Sequence, residues 1–171
     1  MELNATSYVI LGMLGMRPMC GYEIKQLVDN STRFFWAASY GQIYPELRRL
    51  SEHGLIDGRP DPESSRKRTE FSLTKSGRRR LEEWLAQAPE IQEMRDESML
   101  KVFFSGTAGN GGTRAALEAK SDHHGRVAAQ LREIEQAVPA DATGGPVTAL
   151  RLGIAFNEFV ADWCQREAQD S

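Results

Sequence analysis

Cysteine and histidine are scarce in this chain of 171 residues, which holds two of the first and three of the second. Cys20 and Cys164 stand far apart with no metal-type spacing, so they read as reduced thiols rather than a disulfide framework. A bridge between two subunits through Cys164 is the one disulfide that this leaves open. Long hydrophobic runs are missing too, and without about 20 apolar residues in a row no helix spans a membrane. The start, Met1-Glu2-Leu3-Asn4, lacks the basic and apolar segments of a signal peptide, so the expected location is the cytoplasm.

Catalytic constellations are also absent. There is no Ser-His-Asp order and no Cys-His pair, and Asp96 and Glu97 are adjacent on a helix and diverge. The run Gly109-Asn110-Gly111-Gly112 has no Lys-Ser/Thr partner and follows no strand, so it is not a phosphate-binding loop. His123 and His124 point to different helix faces and make no i, i+4 ligand pair. His124 reads instead as a hydrogen-bonded core histidine. The expectation is no enzyme, no cofactor and no metal.

Positive charge is not in excess either. The net charge of −3 taken alone argues against a nucleic-acid binder. Its distribution points the other way. Residues 1–88 hold 13 Lys and Arg against 11 Asp and Glu, whereas residues 89–171 hold 8 against 13. The positive charge is clustered at Arg48-Arg49, Arg66-Lys67-Arg68 and Arg78-Arg79-Arg80, and clustering sets the local field that attracts phosphate.

What is present is a globular balance, 40% hydrophobic and 26% charged, sufficient for a packed core. Ala5–Leu14 predicts a helix capped by Asn4 or Thr6 and ended by Gly15–Pro18. A second helix runs from Gly21 through Val28, and Asn30–Trp36 reads as a loop or irregular turn. Ser39 and Gln42 have capping-box spacing ahead of Ile43, Leu47 and Leu50, with Gly54 as the C-terminal cap. Pro45 lies too deep for that cap. Either the helix starts nearer Gln42 or its first turn is irregular. Leu55–Arg59 and the alternating Arg68–Leu73 flank a turn-rich loop, Pro60–Ser65, and predict a hairpin. Thr74 caps a fourth helix through Leu85, and Pro89 closes the unit.

The second half predicts helices only. Glu90–Ser105 is one. Thr113–Val138 carries the stripe Leu117, Lys120, His124, Val127, Leu131, Ile134 and Val138. Val147–Gln169 carries two apolar stripes. One is Val147, Leu150, Ile154 and Ala161, and the other is Leu152, Phe156, Phe159, Val160 and Trp163. A helix apolar on two faces needs two partners, and a second copy of the chain is the simplest for the outer one. The predicted fold is mainly α. Residues 1–88 form a winged helix-turn-helix of three helices, a two-stranded wing and a linking helix. Residues 89–171 form a helical dimerisation domain.

Several segments carry a resemblance: Ile10–Leu14, Pro18–Ile24, Ser39-Tyr40-Gly41-Gln42-Ile43-Tyr44-Pro45-Glu46-Leu47-Arg48-Arg49-Leu50, Gly54–Ile56 and Phe71–Gly77. In order and spacing they are similar to the PadR family of winged-helix repressors over about residues 5–86. The resemblance implies a dimer built by the first and last helices. It also implies a third helix reading the major groove of double-stranded DNA and a wing on the adjacent backbone. Repression is implied, relieved in some members by a small aromatic or drug-like effector.

The site residues follow. Gln42, Arg48 and Arg49 are the types that read adenine and guanine edges. Tyr40 and Tyr44 donate to phosphates or pack on thymine methyls, and Ser39 opens the same helix. Arg66, Lys67 and Arg68 suit a wing on phosphate, with Tyr22 and Lys25 behind them. The plain alternative is a solvated charged face, and with it a winged-helix protein-interaction module that binds no DNA. Trp36, Phe103, Phe104 and Trp163 are candidates for stacking on an effector, against the simpler reading of core and dimer packing.

Overall fold

The computed structural model describes residues 2–60, 68–89, 95–107 and 112–170, in two compact units, 1–90 and 91–171. In the N-terminal unit the order is α1 (Ala5–Met16), β1 (Met19–Cys20), α2 (Gly21–Asp29), a 3-10 turn (Thr32–Phe34) and α3 (Tyr40–Glu52). β2 (Ile56–Pro60), β3 (Thr69–Leu73) and α4 (Lys75–Leu85) complete it. The C-terminal unit contains α5 (Glu97–Phe104), α6 (Gly112–Gln136) and α7 (Gly145–Asp170).

Asn4, not Thr6, caps α1. Its Oδ1 accepts from the Ser7 N–H at 2.9 Å, and Ser7 Oγ accepts from the Asn4 N–H at 3.0 Å. The helix continues two residues beyond Leu14. Pro45 does lie inside α3, with Ser39 as the cap. The ring removes the bond to the Gly41 carbonyl, and Gly41 is exposed, so water can take that carbonyl. The first turn is therefore regular, and neither irregularity expected from Pro45 is needed.

The wing is antiparallel, with Ile56 opposite Leu73 and Gly58 opposite Phe71. A third strand escapes sequence reading because two residues are too short to show alternation. Met19 and Cys20 pair with Phe71 and Glu70, giving the order β1-β3-β2. The core joins α1, α2, α3 and the sheet through Ile10, Leu11, Met19, Ile24, Val28, Ile43, Leu47, Leu50 and Ile56. On the margin of α1 and α4 the rings of Tyr8 and Trp84 stack at 4.5 Å.

One carbonyl joins the wing to α4. Leu55 O accepts from the Thr74 N–H at 3.2 Å and from the Thr74 hydroxyl at 2.9 Å. Thr74 Oγ1 in turn caps α4 by accepting from the Gly77 N–H at 3.1 Å. A Cβ on Gly77 would stand 2.0 Å from that same carbonyl oxygen, so the Leu-Thr-Lys-Ser-Gly segment requires glycine there.

In the C-terminal unit the expected single segment from Glu90 is shorter at its described end. Asp96 is the N-cap, and α5 starts at Glu97. The stripe on α6 faces α7 as expected, with Leu117 and Leu131 buried. The α7 stripes separate, with one correction. Ile154, Asn157, Cys164 and Ala168 are buried, and Val160 packs with them rather than on the outer face. The outer face keeps Leu152, Phe156, Phe159 and Trp163 exposed. Cys164 is fully buried and burial pushes its thiol up, so the bridge left open above has no accessible thiolate. His124 is hydrogen-bonded as expected, with Nδ1 2.7 Å from Asn157 Oδ1, but it is only partly buried rather than in the core. Among the described residues no helix is long and apolar enough to cross a membrane.

Lys120, the charged member of the α6 stripe, pairs with Asp96 at the start of α5. Asp96 also accepts from the Ser98 hydroxyl and the Met99 N–H. The Lys120 ammonium, then Ser98, hold its carboxyl far below the ordinary carboxylate range.

Two outcomes follow. Gly77→Ala is expected to destabilise the N-terminal unit by about 3 kcal/mol or more, read as a lower urea midpoint, because a backbone oxygen cannot yield as a side chain does. The folded carboxyl of Asp96 is depressed, so its contribution is complete above about pH 4 and is lost as pH falls toward the folded value. Asp96→Asn is therefore expected to destabilise the C-terminal unit at pH 7 and to flatten its stability between about pH 4 and 2, measured by thermal melts across that range.

Candidate nucleic-acid interface

Helix α3 has two faces with different duties. Ile43, Leu47 and Leu50 are buried, whereas Tyr40, Gln42, Tyr44 and Arg48 are exposed on the other side. The spacing 40, 44, 48 places one residue per turn along that outer face. The rings of Tyr40 and Tyr44 stack at 6.1 Å between centroids. Ser39 sits at the N-terminal end of the face. Gln42 Oε1 accepts from the Ser39 N–H at 2.8 Å and closes the capping box, which leaves its amide nitrogen pointing the donor side outward.

Helix α2 supplies the second wall. The Tyr44 ring lies on Gly21, where a Cβ would meet it at 2.9 Å and push the ring aside. Lys25 has its ammonium 5.3 Å from the Tyr40 ring centre and pairs with Asp29. It is thus tethered at the edge of the face, a partner that the sequence reading did not foresee. Tyr22 Oη accepts from Gln26 at 3.0 Å, and the Arg68 guanidinium lies 5.7 Å from the Tyr22 ring centre. Arg68 stands just before β3, so this contact ties the wing to α2. A groove of about 520 Å³ runs between these walls, lined among others by Tyr22, Tyr44, Arg48, Glu52, Arg68 and Phe71. Two guanidiniums, two phenols and one carboxylate line it.

Tyr22, Tyr44, Arg48 and Arg68 are thus brought together, with Ser39, Tyr40, Gln42 and Lys25 alongside. Arg66 and Lys67 lie outside the described residues. Arg49 is turned elsewhere. Its Nε and Nη2 donate to Glu46 at 2.8 and 2.6 Å, its Nη2 also to Ser7 Oγ at 3.1 Å, and its Nη1 to the Glu2 carbonyl at 3.1 Å. Glu46 is only 7% exposed and also accepts from the Ser7 hydroxyl. Burial pushes the Glu46 carboxyl up, but the hydrogen bonds from Arg49 and Ser7 outweigh it, and the net shift is down. Sequence reasoning passed over Glu46. The available signal was a charged residue one position before Leu47, on the buried side of an amphipathic helix.

The residues considered for an effector do not form one cluster, so they stand as separate candidates rather than one pocket. Trp36 is exposed in the N-terminal unit. Phe103 and Phe104 meet edge to face at 5.0 Å on α5, with Phe103 79% exposed, and Trp163 lies on the outer face of α7. Arg78, Arg79 and Arg80 are exposed on the first turns of α4, where Arg80 pairs with Glu83 at 3.4 Å.

Comparison with known proteins finds relatives of the fold and of its two segments. Residues 10–83 match the model of the transcriptional regulator PadR-like family, and residues 94–169 match that of the virulence activator alpha C-term family. Over residues 10–83 the chain is thus similar to the PadR-like family. It is 35% identical over 104 residues to the negative transcriptional regulator PadR of Bacillus subtilis, an alignment covering 60% of this chain and 57% of that protein. The chain thus spans little more than half the length of this curated relative. The crystal structure of B. subtilis PadR with operator DNA superposes with a TM-score of 0.85 at 24% identity, covering 97% of this chain and 98% of that one. The same protein with p-coumaric acid gives 0.78 at 23% identity, covering 98% and 97%. The Vibrio cholerae virulence activator AphA gives 0.70 at 28% identity, covering 97% and 95%. The relatives of this chain are regulators rather than enzymes.

Proposed function

We propose that this protein is a sequence-specific DNA-binding regulator of transcription in the cytoplasm, acting as a homodimer and repressing from an inverted-repeat operator. The observation that carries the proposal is the outer face of α3, with Tyr40, Gln42, Tyr44 and Arg48 exposed beside the wing and Arg68. A helix of this kind fits a major groove. Arg48 matches guanine O6 and N7, and the Gln42 amide matches adenine. The phenols of Tyr22, Tyr40 and Tyr44, the Ser39 hydroxyl and Lys25 suit phosphate oxygens, as do Arg66, Lys67 and Arg68 on the wing. The operator complex of B. subtilis PadR supports this use of the fold.

Dimerisation rests on the apolar faces. Leu152, Phe156, Phe159 and Trp163 recur along one side of α7, with Leu152 69% exposed. On α1, Ala5, Gly12 and Met16 share a face, and Gly12 has open space where a Cβ would stand. The small residues Ala5 and Gly12 suit close approach by a second copy. Two copies related by a two-fold axis would hold their α3 helices for half-sites about 34–36 Å apart. A flat aromatic or drug-like effector would weaken the complex by binding preferentially to a different spacing of the two halves. The exposed aromatics Phe103 and Phe104 on α5 and Trp163 on α7 are proposed as separate candidates to stack on it within the C-terminal unit, and the p-coumaric acid complex of B. subtilis PadR supports that ligand class.

Titration against the DNA upstream of the protein's own gene, and against scrambled DNA, tests the function. The native sequence is expected to bind at least about 1,000-fold tighter, with affinity falling steeply as salt rises. Arg68→Ala is expected to reduce the slope of log affinity against log salt by about 0.9, the value of one phosphate contact. Equal, weak and salt-insensitive binding to both DNAs would favour the protein-interaction module instead. Phe156→Glu with Phe159→Glu is expected to give a folded monomer by sedimentation at micromolar concentration. A dimer that persists would remove α7 from the interface.

A further inference from the structure

We infer that Arg49 and Glu46 are positioning residues, which fix the pitch of α3 against α1, and that Arg49 does not touch DNA. The inference rests on the DNA-binding reading above and deepens it. Neighbours on α3 have opposite duties: Arg48 faces out, and Arg49 faces α1.

The hydrogen-bond inventory carries the argument. Ser7 Oγ is fully buried and has one hydrogen and two lone pairs. Its one hydrogen is shared between Glu46 and, at 3.2 Å, Asn4 Oδ1, and it accepts from the Asn4 N–H at 3.0 Å and from Arg49 Nη2 at 3.1 Å. Its capacity is full. Both Glu46 oxygens are engaged by Arg49, and the remaining fork of Arg49 reaches the Glu2 carbonyl. Turning Arg49 to DNA would leave a carboxylate buried without its cation, which is strongly unfavourable. The same atoms form the cap of α1, so the start of α1 and the middle of α3 share one polar cluster. Apolar contacts from Ile43, Leu47 and Leu50 resist separation of α3 from the core but only weakly resist its rotation or sliding. Directional bonds from a planar guanidinium resist both.

Arg49→Lys separates the two roles. It keeps the charge but cannot span Glu46, Ser7 and Glu2 together. The expected result is a loss of at least about tenfold in affinity for the preferred DNA, with the salt slope of the wild type. Glu46→Gln is expected to lose affinity likewise, and combining it with Arg49→Lys is expected to add little. Ser7→Ala, a milder change on a side chain that faces the core, is expected to weaken binding about threefold. A direct contact predicts the reverse. Arg49→Lys would bind as wild type, Arg49→Ala would reduce the slope by about 0.9, and Glu46→Gln would free the guanidinium and leave affinity equal or higher. Any of these overturns the inference. Amide exchange over residues 40–52 in DNA-free protein decides independently of DNA. Faster exchange in Arg49→Lys than in wild type supports positioning, and unchanged exchange overturns it. If the wild type prefers no DNA sequence, the functional reading fails, and this exchange comparison still judges the role of Arg49.

Discussion

Helix α3 buries Ile43, Leu47 and Leu50 on one side and keeps Tyr40, Gln42, Tyr44 and Arg48 outside on the other. The proposed DNA-reading surface depends on that division being held firmly. Reading a base edge requires side chains placed to within a fraction of an ångström, and a one-residue rotation would carry Arg48 about 100° around the helix axis. Hydrophobic burial keeps α3 attached, whereas the buried Glu46 carboxylate and its three donors fix where along the core it sits. The cost of desolvating Glu46 is offset by those bonds, and its carboxyl stays charged.

The wing is controlled by a different device. Leu55 O receives Thr74, Thr74 caps α4, and Gly77 leaves room for that carbonyl. The end of β3 therefore has a defined position, and at the other end of the strand Arg68 reaches the Tyr22 ring on α2. Local hydrogen bonding thus brings residues 46 positions apart in sequence to one groove beside α3. In the C-terminal unit, Asp96 joins the start of α5 to Lys120 on α6, and the outer face of α7 stays apolar and exposed.

Much of this was legible from residues alone, because periodicity and caps are local. The Ser39–Gln42 box, the Thr74 cap, the α6 stripe and the outer face of α7 each follow from spacing within a few turns. What was not legible depends on pairing across the chain. β1 is too short to show alternation and exists through Phe71 and Glu70. Glu46 was passed over because its role depends on Ser7, 39 positions earlier, which meets it only in the fold. Arg48 and Arg49 are equivalent in composition and distinguished only by which one finds Glu46. Pro45 is tolerated because the carbonyl it strands belongs to an exposed glycine.

Selection from a random pool of double-stranded DNA tests the central claim most directly. Sequence-specific binding by a two-fold dimer predicts enrichment of an inverted repeat whose half-site centres lie about one helical turn, 10–10.5 base pairs, apart. It further predicts that Arg48→Ala relaxes preference at one symmetry-related base pair while the others hold. A pool that stays random after repeated rounds, or one enriched for a motif that Arg48→Ala leaves unchanged, would contradict the account.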